Sequence, residues 1–344
     1  MASAVKDSRR GTDTRGRTAP VRHEGKERMH LRWLGLWLLV GLVGCSSMLG
    51  RYYLERERYE DGVRRFEQEV RAHPDDPAVN YYLGRLYLAQ ENPELALPFL
   101  RRAAELKPDR PDYQFWQGVA YWAVMDFERE RLSYQKALEL DGSYIPARVY
   151  LGHNLLDHGQ WEGALAQYQE VLAKDPWNPE ALYNQGLALR NLKRPADEAQ
   201  AWKEYLKYYP EGRWALQAVD HLNGLGDFSY RNFTIGYRRV TVEQIPFAPG
   251  SVRPLPAGKP SLEVLGSILA INRGIELEIV CHKKNDAALA GARAAAVRAY
   301  LLKQFPAVQP SRLKSRGEGR PEAIETEKGL YHLDESTAFI TVKK

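Results

Sequence analysis

Glycine recurs at Gly50, Gly84, Gly118, Gly152 and Gly186, each 34 residues after the last. Other positions keep the same register. Tyr53, Tyr87, Tyr121, Leu155 and Leu189 follow the glycines, and Phe66, Leu100, Tyr134, Tyr168 and Trp202 lie between them. Each unit closes at Pro74, Pro108, Gly142, Pro176 or Pro210. A fixed period of this length constrains the fold more than any other feature of the chain. Each unit is one supersecondary element whose apolar face only its neighbour covers, so stability is shared along a stack.

The period and its pattern resemble the tetratricopeptide repeat family, over five copies in about residues 46–212. The resemblance implies pairs of antiparallel helices. The glycine sits on the first helix where the second packs closely, the aromatic or leucine fills the space between helices, and the proline sets the turn into the next unit. Ala96, Ala137 and Ala164 are expected to help the close packing on second helices. Copy one departs with Gly62 where alanine is usual, and copy five carries Glu198 there. The segment Arg213 to Gly226 reads as a capping helix, with Ala215, Ala218, Val219 and Leu222 on one stripe and Gly224 as its stop.

In this family, partners usually lie on the concave face of the first helices. Carrying over the family's positions places Tyr81, Arg85, Phe115, Val119, Trp122, Val149, His153, Tyr183, Leu187 and Arg190 there. Trp122, Tyr81 and Phe115 suit the role of anchors for an extended peptide or a helix. The alternative is that several of these side chains simply fill the superhelix. His153 and His158 do not share a helical face, so they do not suggest a metal site.

Ahead of the repeats, an apolar run from Trp33 to Val43 follows basic residues and precedes small ones. It is too short to span a bilayer, which takes about 20 apolar residues, and has the length of a signal-peptide core. Leu42-Val43-Gly44-Cys45 resembles a bacterial lipobox, in which the cysteine is acylated and the chain is cut before it. The resemblance implies lipidation of Cys45. Ser46 in place of aspartate favours the outer membrane, with the chain on its periplasmic face. Translation starts at Met1 or, for a leader of ordinary length, at Met29. The alternative is a buried cysteine after a short core helix.

Residues 1–44 hold the whole formal excess of +5, so the rest of the chain is neutral and its basic pI says nothing for nucleic acid. Only two cysteines are present, so Cys281 has no disulfide framework around it once Cys45 is acylated.

From Phe228 the texture changes. Phe233 to Phe247 reads as a strand, Leu262, Leu265, Ile268 and Leu269 as a helix, and Ile275 to His282 as an alternating strand with Cys281 on its core face. Asp286 to Gln304 reads as an alanine-rich helix, and Arg312 to Gly319 and Ala338 to Lys343 as two further strands. The expected organisation is therefore a leader over 1–44, an α-solenoid with cap over 46–226, and a small α+β domain of order β-α-β-α-β-β over 228–344.

That order, the Leu289 to Val297 helix and the Arg316 to Pro321 turn resemble the OmpA-like peptidoglycan-binding domain. The resemblance implies a site at His282, Asp286 and Arg293, with opposite charges gripping a zwitterionic cell-wall peptide. The sequence departs from the family at Lys284, where the family has aspartate, and at Glu335-Ser336-Thr337, where it has an asparagine and two arginines. Asp286 is the candidate replacement carboxylate. Retained wall binding and a protein-docking surface both remain open readings.

No cofactor is expected and no enzyme. Gly224 to Ser229 lacks the glycine pattern of a phosphate loop, and no nucleophile, base and acid converge in the sequence. The functional expectation is a lipid-anchored scaffold that holds a protein partner in its repeat groove and contacts cell wall or another protein through its C-terminal domain. A pilotin-like or barrel-assembly factor is the alternative.

Overall fold

The structure is a computed structural model describing residues 46–342; Cys45 and the leader, with its lipobox, lie outside the described residues. The chain forms two compact units, divided between Lys107 and Pro108 inside the repeat array.

In the first unit, α1 (46–55) and α2 (Tyr59–Ala72) form one hairpin, and α3 (Pro77–Ala89) and α4 (Pro93–Leu106) the next. The second unit continues with α5 (Pro111–Ala123), α6 (Phe127–Leu140), α7 (Ile145–Asp157), α8 (Trp161–Lys174), α9 (Pro179–Asn191), α10 (Pro195–Tyr208) and the cap α11 (Gly212–Gly224). Proline begins five of these helices, at Pro77, Pro93, Pro111, Pro179 and Pro195. Its missing N–H costs nothing there and its φ is already helical. Asp76 and Asn178 cap their helices, accepting from the N–H groups of Ala78 at 2.8 Å and Ala181 at 3.0 Å.

The register glycines do what their spacing predicts. A Cβ at Gly84 would meet Leu100 at 2.5 Å; at Gly118, Gly152 and Gly186 it would meet the rings of Tyr134, Tyr168 and Trp202 at 2.4 to 2.6 Å. The three rings are fully buried. Copy one differs, because the space at Gly50 is taken by Tyr82 of the next hairpin, at 2.2 Å. A second periodicity escapes inspection of composition. The turn inside each hairpin holds one left-handed residue, at Glu57, Glu91, Met125, Gly159 and Lys193, with φ between 55° and 71°. Only one of the five is the glycine that this conformation favours. In the cap, the left-handed residue is Gly226 (φ 84°), two residues beyond the Gly224 expected as the stop, which is still helical.

The C-terminal part contains β1 (Tyr230–Ile235), β2 (Arg238–Glu243), α12 (Lys259–Ile271), β3 (Glu276–Lys283), α13 (Ala287–Gln304), β4 (Leu313–Glu318), β5 (Glu322–Thr326), β6 (Gly329–Leu333) and β7 (Glu335–Val342). Two expectations need correction. The single strand expected over Phe233 to Phe247 is the antiparallel β1–β2 hairpin, turned at Gly236 with φ 66°. The β5–β6 hairpin was not anticipated at all, since its residues are at most half-buried and leave no apolar stripe to read. The true order is thus β-β-α-β-α-β-β-β-β.

Strand β3 is central, parallel to β4 and antiparallel to β7. β1 lies beside β7, where the Thr341 hydroxyl donates to the Thr234 carbonyl at 2.7 Å and Phe233 meets Phe339 edge-on. Leu277, Ile279 and Cys281 share one core with Leu262, Leu265, Ala294, Val297 and Leu301 of the two helices. Cys281 is buried as expected, and burial pushes its thiol pKa up.

Candidate functional site

On α5, Phe115, Val119 and Trp122 lie at i, i+4 and i+7 and therefore share one helix face. Burial falls along this stripe: Phe115 is buried, Val119 half-buried and Trp122 54% exposed. The α9 stripe repeats the gradient through buried Tyr183, half-buried Leu187 and exposed Arg190. On α7, Val149 is buried and His153 half-buried.

This divides the ten expected groove residues. Phe115, Val149 and Tyr183 are packing residues and are not available as anchors. Phe115 is enclosed by the rings of Trp116, Tyr134, Tyr144 and Tyr150, and Tyr183 by Trp202, Tyr205 and Trp214. Tyr81, in the first unit, is equally buried and packs edge-on against Tyr82, with the Arg85 guanidinium over its ring. The register explains the error. Tyr81, Phe115, Val149 and Tyr183 are themselves 34 apart, so they belong to the recurring core as much as the glycines do. Arg85, Val119, Trp122, His153, Leu187 and Arg190 keep accessible surface.

His153 accepts through Nε2 from the Asn184 side-chain N–H at 2.9 Å, and burial lowers its pKa. Arg190 donates to Nδ1 of His221 at 2.9 Å. His221 stacks on Trp202 at 5.0 Å and 24°, and burial beside the Arg190 cation holds its pKa down to about 4. A neutral imidazole can accept the bond; an imidazolium could not.

The small-residue position of the second helices holds a further surprise. Glu130 stands there in copy three, 68 residues before Glu198, and both carboxylates are buried. Glu198 accepts from the Trp202 indole N–H at 3.1 Å, and Glu130 from the Asn154 amide at 2.9 Å. The 34-residue register is the signal that marks Glu130, which stands 34 residues after Ala96. Burial raises its pKa, against the opposing pull of Asn154 and His158. A carboxyl whose folded value is raised favours folding fully below its unfolded value and loses that contribution as pH rises through the folded value. Glu130→Gln is therefore expected to raise the unfolding midpoint relative to wild type more at pH 8 than at pH 5. Thermal unfolding at the two pH values checks this, and a difference independent of pH would contradict it.

In the C-terminal domain the three expected site residues do not converge on open space. Arg293 is only 3% exposed. Its guanidinium donates to Glu335 at 2.8 Å and to the Ser251 carbonyl at 2.9 Å, and lies 4.7 Å from the Phe247 ring centroid. Asp286 caps α13, accepting from the Leu289 N–H at 2.8 Å. His282 contacts the Arg320 carbonyl through Nδ1 at 3.2 Å. Lys283 also pairs with Glu335, and together the two cations hold the Glu335 carboxyl below its usual range. Glu335, in the segment where the family has its two arginines, thus neutralises Arg293 from within the chain.

Among the described residues, no helix is long and apolar enough to cross a membrane. The sequence matches the family described as "Tetratricopeptide repeat" over residues 47–111 and 151–213. No curated protein matches it. Similar solved structures include PilF of Pseudomonas aeruginosa, 15% identical over 54% of this chain and 84% of that one, with a TM-score of 0.49. PilW, titled a widely conserved type IV pilus biogenesis factor, is 17% identical over 53% and 86%, with a TM-score of 0.48. YrrB, titled a TPR protein with an unusual peptide-binding site, is 18% identical over 50% and 89%, with a TM-score of 0.45.

Proposed function

We propose that these tetratricopeptide repeats are the partner-holding part of a lipoprotein scaffold, anchored through Cys45 to the periplasmic face of the outer membrane. The observation that carries the partner-binding part is Trp122. It is 54% exposed at the end of a stripe whose first member is buried, and a large exposed aromatic on a rigid helix is the usual anchor of a recognition surface. Val119 and Leu187 extend that surface. The chain acts by holding and not by chemical conversion.

The anchoring part rests on the lipobox-like Leu42 to Cys45 and the apolar run before it. Stable attachment takes more than one acyl chain. Cells fed a clickable fatty acid should yield labelled protein in the membrane fraction. Cys45→Ser should abolish the label and leave the chain with its leader uncleaved. An unlabelled wild-type protein in the soluble fraction would overturn the anchor.

For the C-terminal domain, the Arg293–Glu335 pair favours a docking or structural role over wall binding. A cell-wall carboxylate would have to displace Glu335 from a guanidinium it already satisfies. The pilotin-like alternative makes a separate demand, namely loss of secretin multimers in a strain lacking this protein.

A further inference from the structure

A cleft of about 850 Å³ lies between the end of the repeat array and the β5–β6 hairpin, entirely within the second unit. One wall comes from Arg190 and Lys193 of the last repeat and from the cap around His221; the other comes from Ile324 to Lys328 of the hairpin. The hairpin is fixed in place. Glu322 takes two hydrogen bonds from Arg231, at 2.7 and 2.9 Å, and Tyr331 packs edge-on against Phe228.

The charges in this cleft are unevenly committed. Glu198 is buried against the Trp202 indole, and Asp220 accepts from Arg239 and Asn232. Arg190, by contrast, is held by the neutral imidazole of His221 and has no carboxylate within ion-pair distance among the described residues; the same is true of Lys193 and Lys328. Glu325 and Glu327 stand exposed on the hairpin. The stack from Glu198 through Trp202 to His221 therefore presents a guanidinium to the cleft without neutralising it.

We propose that this cleft binds an acidic segment of an extended polypeptide, with Arg190 taking a carboxylate and Lys193 and Lys328 flanking it. The proposal deepens the partner-binding reading and rests on it. A guanidinium fork recognises carboxylates with paired N–H groups, and the apolar surface of Leu225, Phe228 and Ile324 accommodates the chain between charges. The two hairpin acids disfavour a continuous polyanion such as nucleic acid, and tolerate carboxylates spaced along a peptide.

The probe is a short fluorescein-labelled peptide of alternating glutamate and glycine, titrated against the full chain at low salt, with a glutamine–glycine peptide as control. The glutamate peptide should bind at least about tenfold more tightly than the control. Arg190→Gln should weaken it by about tenfold, and Glu325→Gln with Glu327→Gln should tighten it severalfold. Arg190, Glu325 and Glu327 are all exposed, so the variants are expected to keep the wild-type unfolding midpoint. Absence of binding, equal affinity for the two peptides, or an unchanged affinity in Arg190→Gln would each overturn the proposal. Crosslinking through the Trp122 face, measured on the same variants, separates the two readings. If a partner is still captured there while the peptide assay fails, the acidic-segment inference falls and the scaffold reading stands.

Discussion

Gly317→Ala is expected to destabilise the C-terminal domain by about 3 kcal/mol, among the larger costs of overpacking. A Cβ on β4 at this point would lie 2.1 Å from the Gly291 nitrogen and 2.5 Å from its Cα. Both contacts are to backbone, so no side chain can swing away. Strand β4 and helix α13 would have to part, opening the core around Ile279, Ala294 and Val297. Gly291→Ala, on the facing helix, gives the opposite sign. A Cβ at Gly291 meets nothing within 4 Å, and alanine in a helix interior is favoured over glycine by up to about 1 kcal/mol. Urea unfolding of the two variants, followed by a probe in the C-terminal domain, checks the pair. Equal effects from both would mean that strand and helix do not approach as closely as described.

The second large effect is at Arg293. Removing one partner of a buried ion pair typically costs about 3–5 kcal/mol. Arg293→Ala should fall near the lower end, because Glu335 is 47% exposed and water can take over its solvation. Glu335→Gln should cost less, about 1 kcal/mol, since the amide oxygen still accepts from the guanidinium. The pH dependence has a definite sign. The Glu335 carboxyl is held below its usual range by Lys283 and Arg293. Its contribution is present above the unfolded carboxylate value and is lost as pH falls through the folded one. Glu335→Gln should lack that acid-side loss. Denaturation of both variants between pH 3 and pH 7, about the window in which carboxylates titrate, measures it. A consequence follows for wall binding. Loss of binding in Arg293→Ala reports unfolding as readily as recognition, so Glu335→Gln is the informative variant. If Arg293 still serves a wall carboxylate, removing the competing negative charge of Glu335 should increase sedimentation with purified peptidoglycan. If the domain docks protein, neither wild type nor variant should sediment.

The repeat array was legible because one requirement recurs at fixed spacing: a glycine facing a large buried side chain. The exchange of partner at Gly50, from its own hairpin to Tyr82, was not legible, because spacing reports that room is needed and not which ring fills it. Nor were the left-handed turn residues, since glutamate, methionine and lysine carry no signature of that conformation. Family positions name a helix face but not the depth along it, and Tyr81, Phe115, Val149 and Tyr183 lie at the buried end. In the C-terminal domain, apolar alternation located β3. The β5–β6 hairpin was missed because a ribbon held by one bidentate ion pair and one tyrosine leaves no periodic trace. Arg293 stands at the family's arginine position, whereas Glu335, in the segment where the family has two arginines, decides what its charge can do.

The central claim is that the repeats hold a specific partner on the first-helix face. A photo-crosslinking side chain at Val119, beside the exposed Trp122, tests this most directly in living cells. The account predicts one discrete adduct, lost in Trp122→Ala and retained when the crosslinker variant carries a substitution on the opposite face of the array. An array that yields no adduct from Val119, or the same adducts with and without Trp122, would contradict it.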